Sequence, residues 1–298
     1  MSCSDLESAL DFYTGQLGFR LDLIYPADAP RVVELSGYGI RVRLERNQDS
    51  QRSTDSEWKT GRAGMQYRDL VPDRLGGRFI ASHIRIPEGG PVPDYVHHHG
   101  IEFQMIYCYR GWVKVVYEDQ GPPFVLEAGD CVLQPPHIRH RVLECSDQME
   151  VIEAGSPAEH ETHVDHDMEL PTSEIDENRD FGGQRFVRHQ SSKAKWFPGP
   201  YDGFEARDTG IGDATSGLVS VLIVRPSGPI QSAVILCEAG FVFTFVLQGS
   251  ITLQQKNQSA QVFAANDAFV TSAGLPATIV DNSDNLEFLQ VISKLSPH

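Results

Sequence analysis

Three consecutive histidines stand in the segment PDYVHHHGIEFQMIYCYRGWVKV (residues 93–115), and Gln104 follows them in a strand-like run where apolar residues would be expected. Side chains two residues apart on a β-strand project to the same face, so His97 and His99 would point the same way. A third imidazole from a strand farther along the chain could join them. Neutral imidazoles are good ligands for Zn, Cu, Fe and Ni. Three of them with one oxygen ligand predict a divalent-metal site that keeps open positions.

The chain around these residues predicts β-structure. From about residue 65 to 155, short runs rich in β-branched and aromatic residues alternate with Gly and Pro, and nothing there is typical of a long helix. Several short strands at this spacing favour a sandwich or a barrel. A second β-rich series begins at about residue 186 and aligns with the first, so that Gly249 falls on Gly111. This internal repeat predicts two β-barrels in tandem.

The first motif resembles that of the cupin superfamily. It runs from Gly90 to His97-x-His99, then four residues, Gln104, six residues and Gly111. One residue more than usual separates Gly90 from His97. Gln104 stands where cupins usually have Glu, which would leave the site one charge more positive. A Gln104 that only hydrogen-bonds a ligand is the alternative role.

The second cupin motif reads Gly129, five residues, Pro135-x-His137, two residues and His140, with His137 in place of the usual glycine. The resemblance covers about residues 65–155 and extends as a degenerate copy to the end of the chain. It implies a mainly β fold of two tandem double-stranded β-helix (jelly-roll) barrels, a bicupin. It also implies one divalent transition metal, Fe, Ni, Mn or Zn. The implied ligands are His97, His99, Gln104 and His140.

Three further residues are candidates for roles beside this metal. Glu102 shares the strand parity of Gln104 and could act as a catalytic acid or base, with a solvated or paired carboxylate as the simpler alternative. His137 would lie at the mouth of the barrel and contact substrate. His83 lies on a neighbouring strand and could line the substrate pocket, although a core or surface histidine is the simpler reading. His98 should point away from the barrel.

The second repeat carries no plausible set of metal ligands at the matching positions. Since a lone cysteine there is more often a buried thiol than a ligand, we expect a scaffold or an apolar pocket without metal. The residues aligned with the four implied ligands are Ile235, Cys237, Val242 and Ala277.

The N-terminal segment SDLESALDFYTGQLGF predicts a helix capped by Ser4, followed by three strand-like runs. Residues 4–46 resemble the first half of a glyoxalase/bleomycin-resistance (vicinal oxygen chelate) module. We interpret them as a packing element or a homodimer interface. The acidic segment 156–183, which contains His160, His163 and His166, is predicted to be a solvated inter-domain crossing. The domain boundaries predicted in this way are 1–48 half-module, 49–64 linker, 65–175 metal-binding barrel and 176–298 barrel without metal.

The composition of the chain excludes some classes of partner and favours one cellular compartment. The formal net charge is −16 and the pI is about 5, which argues against nucleic acid or an anionic membrane as a partner. No stretch approaches the about 20 apolar residues of a membrane helix, and the N-terminus is not typical of a signal peptide. The five cysteines are widely spaced, without a CxxC pair, and predict reduced thiols in a cytoplasmic protein.

These observations predict a metal-dependent enzyme that acts on a small organic molecule. We favour a dioxygenase, an oxidoreductase in which oxygen atoms of the substrate chelate the open metal positions while the barrel excludes water. An isomerase or cyclase that uses the metal as a Lewis acid is the first alternative. A non-catalytic cupin that binds a small molecule is the second, because one fold hosts many functions.

Overall fold

The structure is a computed structural model that describes residues 2–3, 5–46, 58–61, 64–228, 232–237, 240–256 and 258–294. Most of the predicted linker 49–64 lies outside these ranges, and so does Ser4. The observed N-cap of the first helix is Asp5, whose carboxylate accepts a hydrogen bond from the Ser8 backbone N–H at 3.0 Å.

Short strands make up most of the described chain. In chain order, the strands before residue 170 are β1 (Ser2–Cys3), β2 (Arg20–Tyr25), β3 (Val32–Gly37), β4 (Ile40–Arg46), β5 (Lys59–Thr60), β6 (Gln66–Asp69), β7 (Ile80–Ile86), β8 (Gly90–Pro91), β9 (His97–His99), β10 (Phe103–Arg110), β11 (Trp112–Tyr117), β12 (Phe124–Glu127), β13 (Cys131–Leu133), β14 (His140–Cys145), β15 (Met149–Ser156) and β16 (Thr162–Val164). The strands that follow are β17 (Val187–His189), β18 (Phe197–Pro198), β19 (Phe204–Asp208), β20 (Val219–Pro226), β21 (Ala233–Ile235), β22 (Phe241–Gln248), β23 (Ser250–Gln255), β24 (Gln261–Ala264), β25 (Ala268–Ser272), β26 (Ala277–Asn282) and β27 (Glu287–Ser293).

The helices are short. They are α1 (Leu6–Asp11), which continues into a π-helical turn (Phe12–Gln16), α2 (Arg74–Gly77), a 3-10 turn (Ser191–Lys193) and α3 (Ile211–Ala214). In the described parts of the chain, no helix is both long enough and apolar enough to span a membrane.

The chain forms two compact units. The first consists of Met1–Ala128 and Gln134–Gly182, and the second of Gly129–Leu133 and Gly183–His298. We call the strands of the first unit from β6 onward the first barrel, and those of the second unit from β20 onward the second barrel. The N-terminal helix and β1–β4 therefore group with the first barrel.

Two sheets build the first unit. One has the strand order β1-β4-β3-β2-β16-β9-β14-β11-β12, with β8 also paired to β14, and the other contains β10-β15-β7-β6-β5 in that order. The burial pattern along each strand shows which of its two faces points to the interior. Along β9, for example, His97 and His99 are buried while His98 is half-buried on the opposite side. Residues of both sheets line one internal cavity, which is where the candidate site lies.

The N-terminal element is continuous with the first barrel. Strand β16 pairs with β9 on one side and with β2 on the other, so that Thr162 faces both His99 and Ile24. The interpretation of 156–183 as a solvated crossing is therefore wrong for this part, since Thr162 is buried and His166 contacts the backbone carbonyl of Leu21 at 2.9 Å. A small core holds the element together, formed by Leu6, Phe19, Ile24, Val33, Leu35 and Leu44.

The second unit contains the sheets β18-β19-β20-β27-β22-β25 and β21-β26-β23-β24, and β13 pairs with β17. Its interior is largely apolar. The four residues aligned with the implied ligands, Ile235, Cys237, Val242 and Ala277, are all buried in one hydrophobic cluster together with Phe204, Phe269 and Phe288.

The repeat is visible in the turns as well as the strands. Gly111 ends β10 and Gly249 ends β22, and both have a positive φ, 69° and 74°. In the first barrel the Ser146 hydroxyl accepts from the backbone N–H of Trp112 at 3.0 Å. In the second, Ser283 does the same for Ser250 at 2.8 Å. The two barrels therefore share one turn design at corresponding places.

Candidate metal centre

Backbone pairing brings three histidines together inside the first barrel. Strand β9 carries His97 and His99 on its buried face, and β14 begins at His140, which lies directly opposite His97 in the antiparallel ladder. One ring nitrogen from each of the three lies within 4.8 Å of the others, and all three side chains are buried. The sequence motifs are far apart in the chain, but this register makes them neighbours.

Hydrogen bonds from the chain orient two of these rings. The Nδ1 of His97 lies 2.8 Å from the carbonyl oxygen of Tyr95, and the Nδ1 of His140 lies 3.0 Å from that of Ile138. A carbonyl oxygen only accepts, so each Nδ1 carries the proton and each Nε2 keeps its lone pair. Metal-binding histidines are typically held in this way by a partner on the other ring nitrogen.

The third ring is held by the strand that joins the barrel to the N-terminal element. The Nδ1 of His99 lies 2.9 Å from the hydroxyl oxygen of Thr162, which is itself buried. This contact fixes the orientation of the His99 ring.

Gln104 lies in the same cavity as the three imidazoles and is 2% exposed. Its amide nitrogen donates to Glu153 at 2.5 Å. Its carbonyl oxygen, Oε1, is buried and has no hydrogen-bond partner among the described residues. An unsatisfied buried oxygen costs about 1–3 kcal/mol, and a cation would satisfy it. The residues present thus fit a divalent metal, with three nitrogen donors and one oxygen.

The cavity around these residues offers about 120 Å³, room for roughly ten waters at about 10–15 Å³ each. Its walls are mainly apolar, and they include Tyr67, Ile80, Ile84, Ile106, Val115 and Val151. None of the described lining residues is Lys or Arg, whereas two, Asp28 and Glu153, are acids.

Three lining residues with a carboxylate or imidazole side chain were missed by sequence reasoning. Glu153 comes from β15 and belongs to no motif. His160 is in the segment interpreted as a solvated crossing, yet it lines the cavity with its ring 5.3 Å from that of His99. Burial lowers its pKa. Asp28, from the N-terminal element, is held by Arg74 at 2.5 Å. The only available signal was the count of histidines near residue 160, which does not indicate a fold.

Two of the other predicted residues do not reach the cavity lining. Glu102 is exposed and precedes β10, which begins at Phe103, so the assumed parity with Gln104 does not apply. His137 is exposed with a φ of 62°, and its Nδ1 lies 3.5 Å from that of His98 on the outer face of β9.

His83 is buried, but its side chain does not line the cavity. Its Nε2 lies 2.7 Å from Glu150 and its Nδ1 3.0 Å from Arg68. Burial, and then the positive charges of Arg68 and Arg110, lower its pKa to about 4 despite the opposing effect of Glu150. The structure therefore gives His83 a place in a buried polar network.

The second barrel repeats the backbone geometry without the chemistry. Ile235 lies directly opposite Ala277 in the ladder of β21 and β26, as His97 lies opposite His140. Both residues are fully buried and apolar.

Comparison with known proteins agrees with this arrangement. Residues 82–155 match the family model of the Cupin domain, and no curated protein sequence is significantly similar to the chain. A crystal structure of oxalate decarboxylase from Bacillus subtilis at pH 4.6 is similar with a TM-score of 0.57 and 10% identity, covering 81% of this chain and 75% of that one. A single-residue variant of the same enzyme is similar with a TM-score of 0.57 and 10% identity, covering 82% of this chain and 77% of that one. Protein Ylba from E. coli gives a TM-score of 0.56 at 12% identity, covering 81% of this chain and 86% of the other.

At such low identity the likeness shows the fold alone. The prediction of a mainly β fold with two tandem jelly-roll barrels is confirmed. The match to the family model includes all three converging histidines and Gln104. Residues 82–155 are therefore similar in sequence to the Cupin domain, and this similarity covers about a quarter of the chain.

Proposed function

We propose that the first barrel is a metal-dependent enzyme that acts on a small organic molecule, and that its reaction is a dioxygenation. His97, His99, His140 and Gln104 would hold one divalent transition metal, Fe, Ni, Mn or Zn. The observation that carries this proposal is the convergence of three buried imidazoles, within 4.8 Å of one another, on a cavity with apolar walls.

The charge of the cavity supports a neutral, largely apolar substrate. The described lining residues include two carboxylates and neither Lys nor Arg. A small dianion such as oxalate, after which the similar Bacillus subtilis decarboxylase is named, would have only the metal to offset its charge. An aromatic or aliphatic molecule of roughly ten heavy atoms, with oxygens that can chelate a metal, suits the size and the walls.

A bound metal would supply Lewis acidity and, if redox-active, a place for oxygen to react. The chain itself performs the remaining tasks. Backbone carbonyls of Tyr95 and Ile138 keep the proton on Nδ1 of His97 and His140, and so keep each Nε2 available. The aliphatic walls exclude water, which strengthens every polar contact inside. The ring of Tyr117 stacks on His140 at 5.5 Å and limits its rotation.

A metal-dependent isomerase or cyclase is the second candidate. Glu153 and His160 both line the cavity, and a carboxylate and an imidazole are the groups that move protons between carbon and oxygen positions. Such proton transfers need no oxygen.

Oxygen consumption separates the two candidates. The protein loaded with Fe(II) should consume oxygen with members of a panel of catechols, flavonols and diketones, and His97→Ala/His140→Ala should not. A matched control is His98→Ala/His137→Ala, which removes two imidazoles from the outer face and should keep both the metal and the activity. If compounds of the panel are isomerised without oxygen uptake, the reaction is an isomerisation. If the purified protein binds no transition metal when offered an excess, the proposal fails.

A further inference from the structure

Gln104 and Glu153 form a pair across two neighbouring strands. In the ladder of β10 and β15, Gln104 lies opposite Gly155, and Glu153 lies opposite Ile106. The pair is therefore diagonal, and both side chains line the cavity. The amide nitrogen of Gln104 donates to Oε1 of Glu153 at 2.5 Å.

This hydrogen bond decides which way the amide points. A carboxylate accepts hydrogen bonds, so only the nitrogen end of the amide can face it. The other end, Oε1 of Gln104, is then directed elsewhere, and it is buried without a hydrogen-bond partner among the described residues. Because proteins rarely leave such an oxygen unsatisfied, its orientation points to a cation.

Charge gives a second reason for the pair. Three neutral imidazoles and an amide bring no negative charge to a divalent ion. Glu153 contributes one carboxylate next to the amide, so the cavity regains the charge that a carboxylate at position 104 would have supplied. Groups that hydrogen-bond a metal ligand from behind are worth about 10–100-fold in metal affinity.

We infer that Glu153 is a positioning residue, which holds the Gln104 amide with its oxygen toward the metal and supplies the negative charge of the site. This inference rests on the proposed metal site. The rival view is that the pair is only a hydrogen bond that stabilises the fold. The rival predicts that its loss lowers the melting temperature of the metal-free protein and leaves metal affinity unchanged.

Exchanging the two residues tests the inference. Glu153→Gln removes the fixed acceptor, since an amide at 153 can both donate and accept, and the Co(II) dissociation constant should rise about 10–100-fold. In Gln104→Glu/Glu153→Gln, a carboxylate at 104 accepts from an amide at 153, so the affinity should return to within about threefold of the starting protein. Glu127→Gln, on the exposed end of β12, removes a charge from the same barrel and should leave the affinity unchanged.

Co(II) affinity is measured by competition with a chelator, and the melting temperature of the metal-free form is measured in parallel. A Glu153→Gln protein with unchanged Co(II) affinity overturns the inference, and so does an exchanged pair that binds as weakly as Glu153→Gln. If Glu153→Gln does not fold, the exchanged pair is compared with the starting protein, and a Co(II) affinity clearly weaker than that of the starting protein overturns the inference. A starting protein that binds no Co(II) overturns the proposed function together with this inference, whereas binding that ignores Glu153 overturns only the latter.

Discussion

The two barrels have the same ladder at the same place and fill it with different residues. His97 faces His140 in the first, and Ile235 faces Ala277 in the second. The shared register shows that the fold needs no histidine at these positions, because the apolar pair occupies them equally well. The imidazoles of the first barrel therefore require an explanation other than folding, and the proposed metal site supplies one.

Two buried glutamines make the same point at the level of single atoms. Gln290 of the second barrel is satisfied at both ends, since its Oε1 accepts from the Tyr201 hydroxyl at 2.9 Å and its Nε2 donates to Thr244 at 3.2 Å. Gln104 of the first barrel has a partner for its nitrogen but none among the described residues for its oxygen. One chain thus contains a closed polar network and an open one, and the open one lies beside the imidazoles.

The largest difference between the barrels should appear in metal binding. His99→Ala should weaken Zn(II) binding by more than about 100-fold, because groups that merely support a ligand are already worth about 10–100-fold. Cys237→Ala, at the aligned position of the second barrel, should leave Zn(II) binding unchanged. The measurement is chelator competition on both variants. An equal loss of Zn(II) affinity in both variants would show that the second barrel also takes part in Zn(II) binding.

Acid should destabilise the first barrel more than the second. The pKa of His83 is lowered to about 4 in the folded protein from an ordinary value of 6.5. Between these values the unfolded chain binds the proton and the folded chain does not, so the free energy of unfolding falls as the pH falls from 6.5 to 4. The loss approaches about 3 kcal/mol at pH 4.

His83→Gln should reduce this dependence in urea unfolding experiments, and His98, whose pKa burial also lowers to about 4, should keep part of it. On β20 of the second barrel, Ile223 is buried and apolar, and Ile223→Val should leave the pH slope unchanged. A slope that is unchanged in His83→Gln would assign it to the other histidines.

The apolar interior of the second barrel should reject an unpaired amide. Val242 aligns with Gln104 and is 2% exposed within a hydrophobic cluster. Val242→Gln should cost about 1–3 kcal/mol for the unsatisfied polar group, beyond the cost of Val242→Met, which adds a side chain of similar length without one. Urea unfolding of both variants gives the difference. No difference would mean that the second barrel tolerates polar groups as the first does.

The smallest of the four predicted effects concerns the turn that the two barrels share. Replacing the turn glycine should destabilise both barrels. Gly111→Ala and Gly249→Ala should each cost about 1–2 kcal/mol for the left-handed backbone, and the new Cβ would also collide with the hydroxyl of Ser146 or Ser283. Gly182→Ala is the control, because Gly182 has a φ of 69° but open space around it. Melting temperatures should fall in both turn variants, further in Gly249→Ala because its Cβ would also meet Asn285 and Leu286, and by less in the control.

Much of the fold and the centre of the site could be predicted from the sequence. Alternation on a strand is enough to place His97 and His99 on one face, and the repeat is enough to align Ile235 with His97. The expected parity of Glu102 with Gln104 does not hold, because parity applies only inside a strand and β10 starts one residue after Glu102. Glu153, His160 and Asp28 could not be found, because each reaches the cavity through strand pairing or loop packing that no local pattern encodes.

The pairing of β16 with both β9 and β2 has a consequence for the order in which the centre can be completed. The strand bearing His97 and His99 is only three residues long, and the hydroxyl that orients His99 belongs to β16, whose other edge is covered by β2. Thr162 follows both of these strands in the chain, so neither strand gains this neighbour until Thr162 has been synthesised. Removal of β2 would expose an edge of β16 next to the histidines, so the N-terminal element is part of the support of the centre.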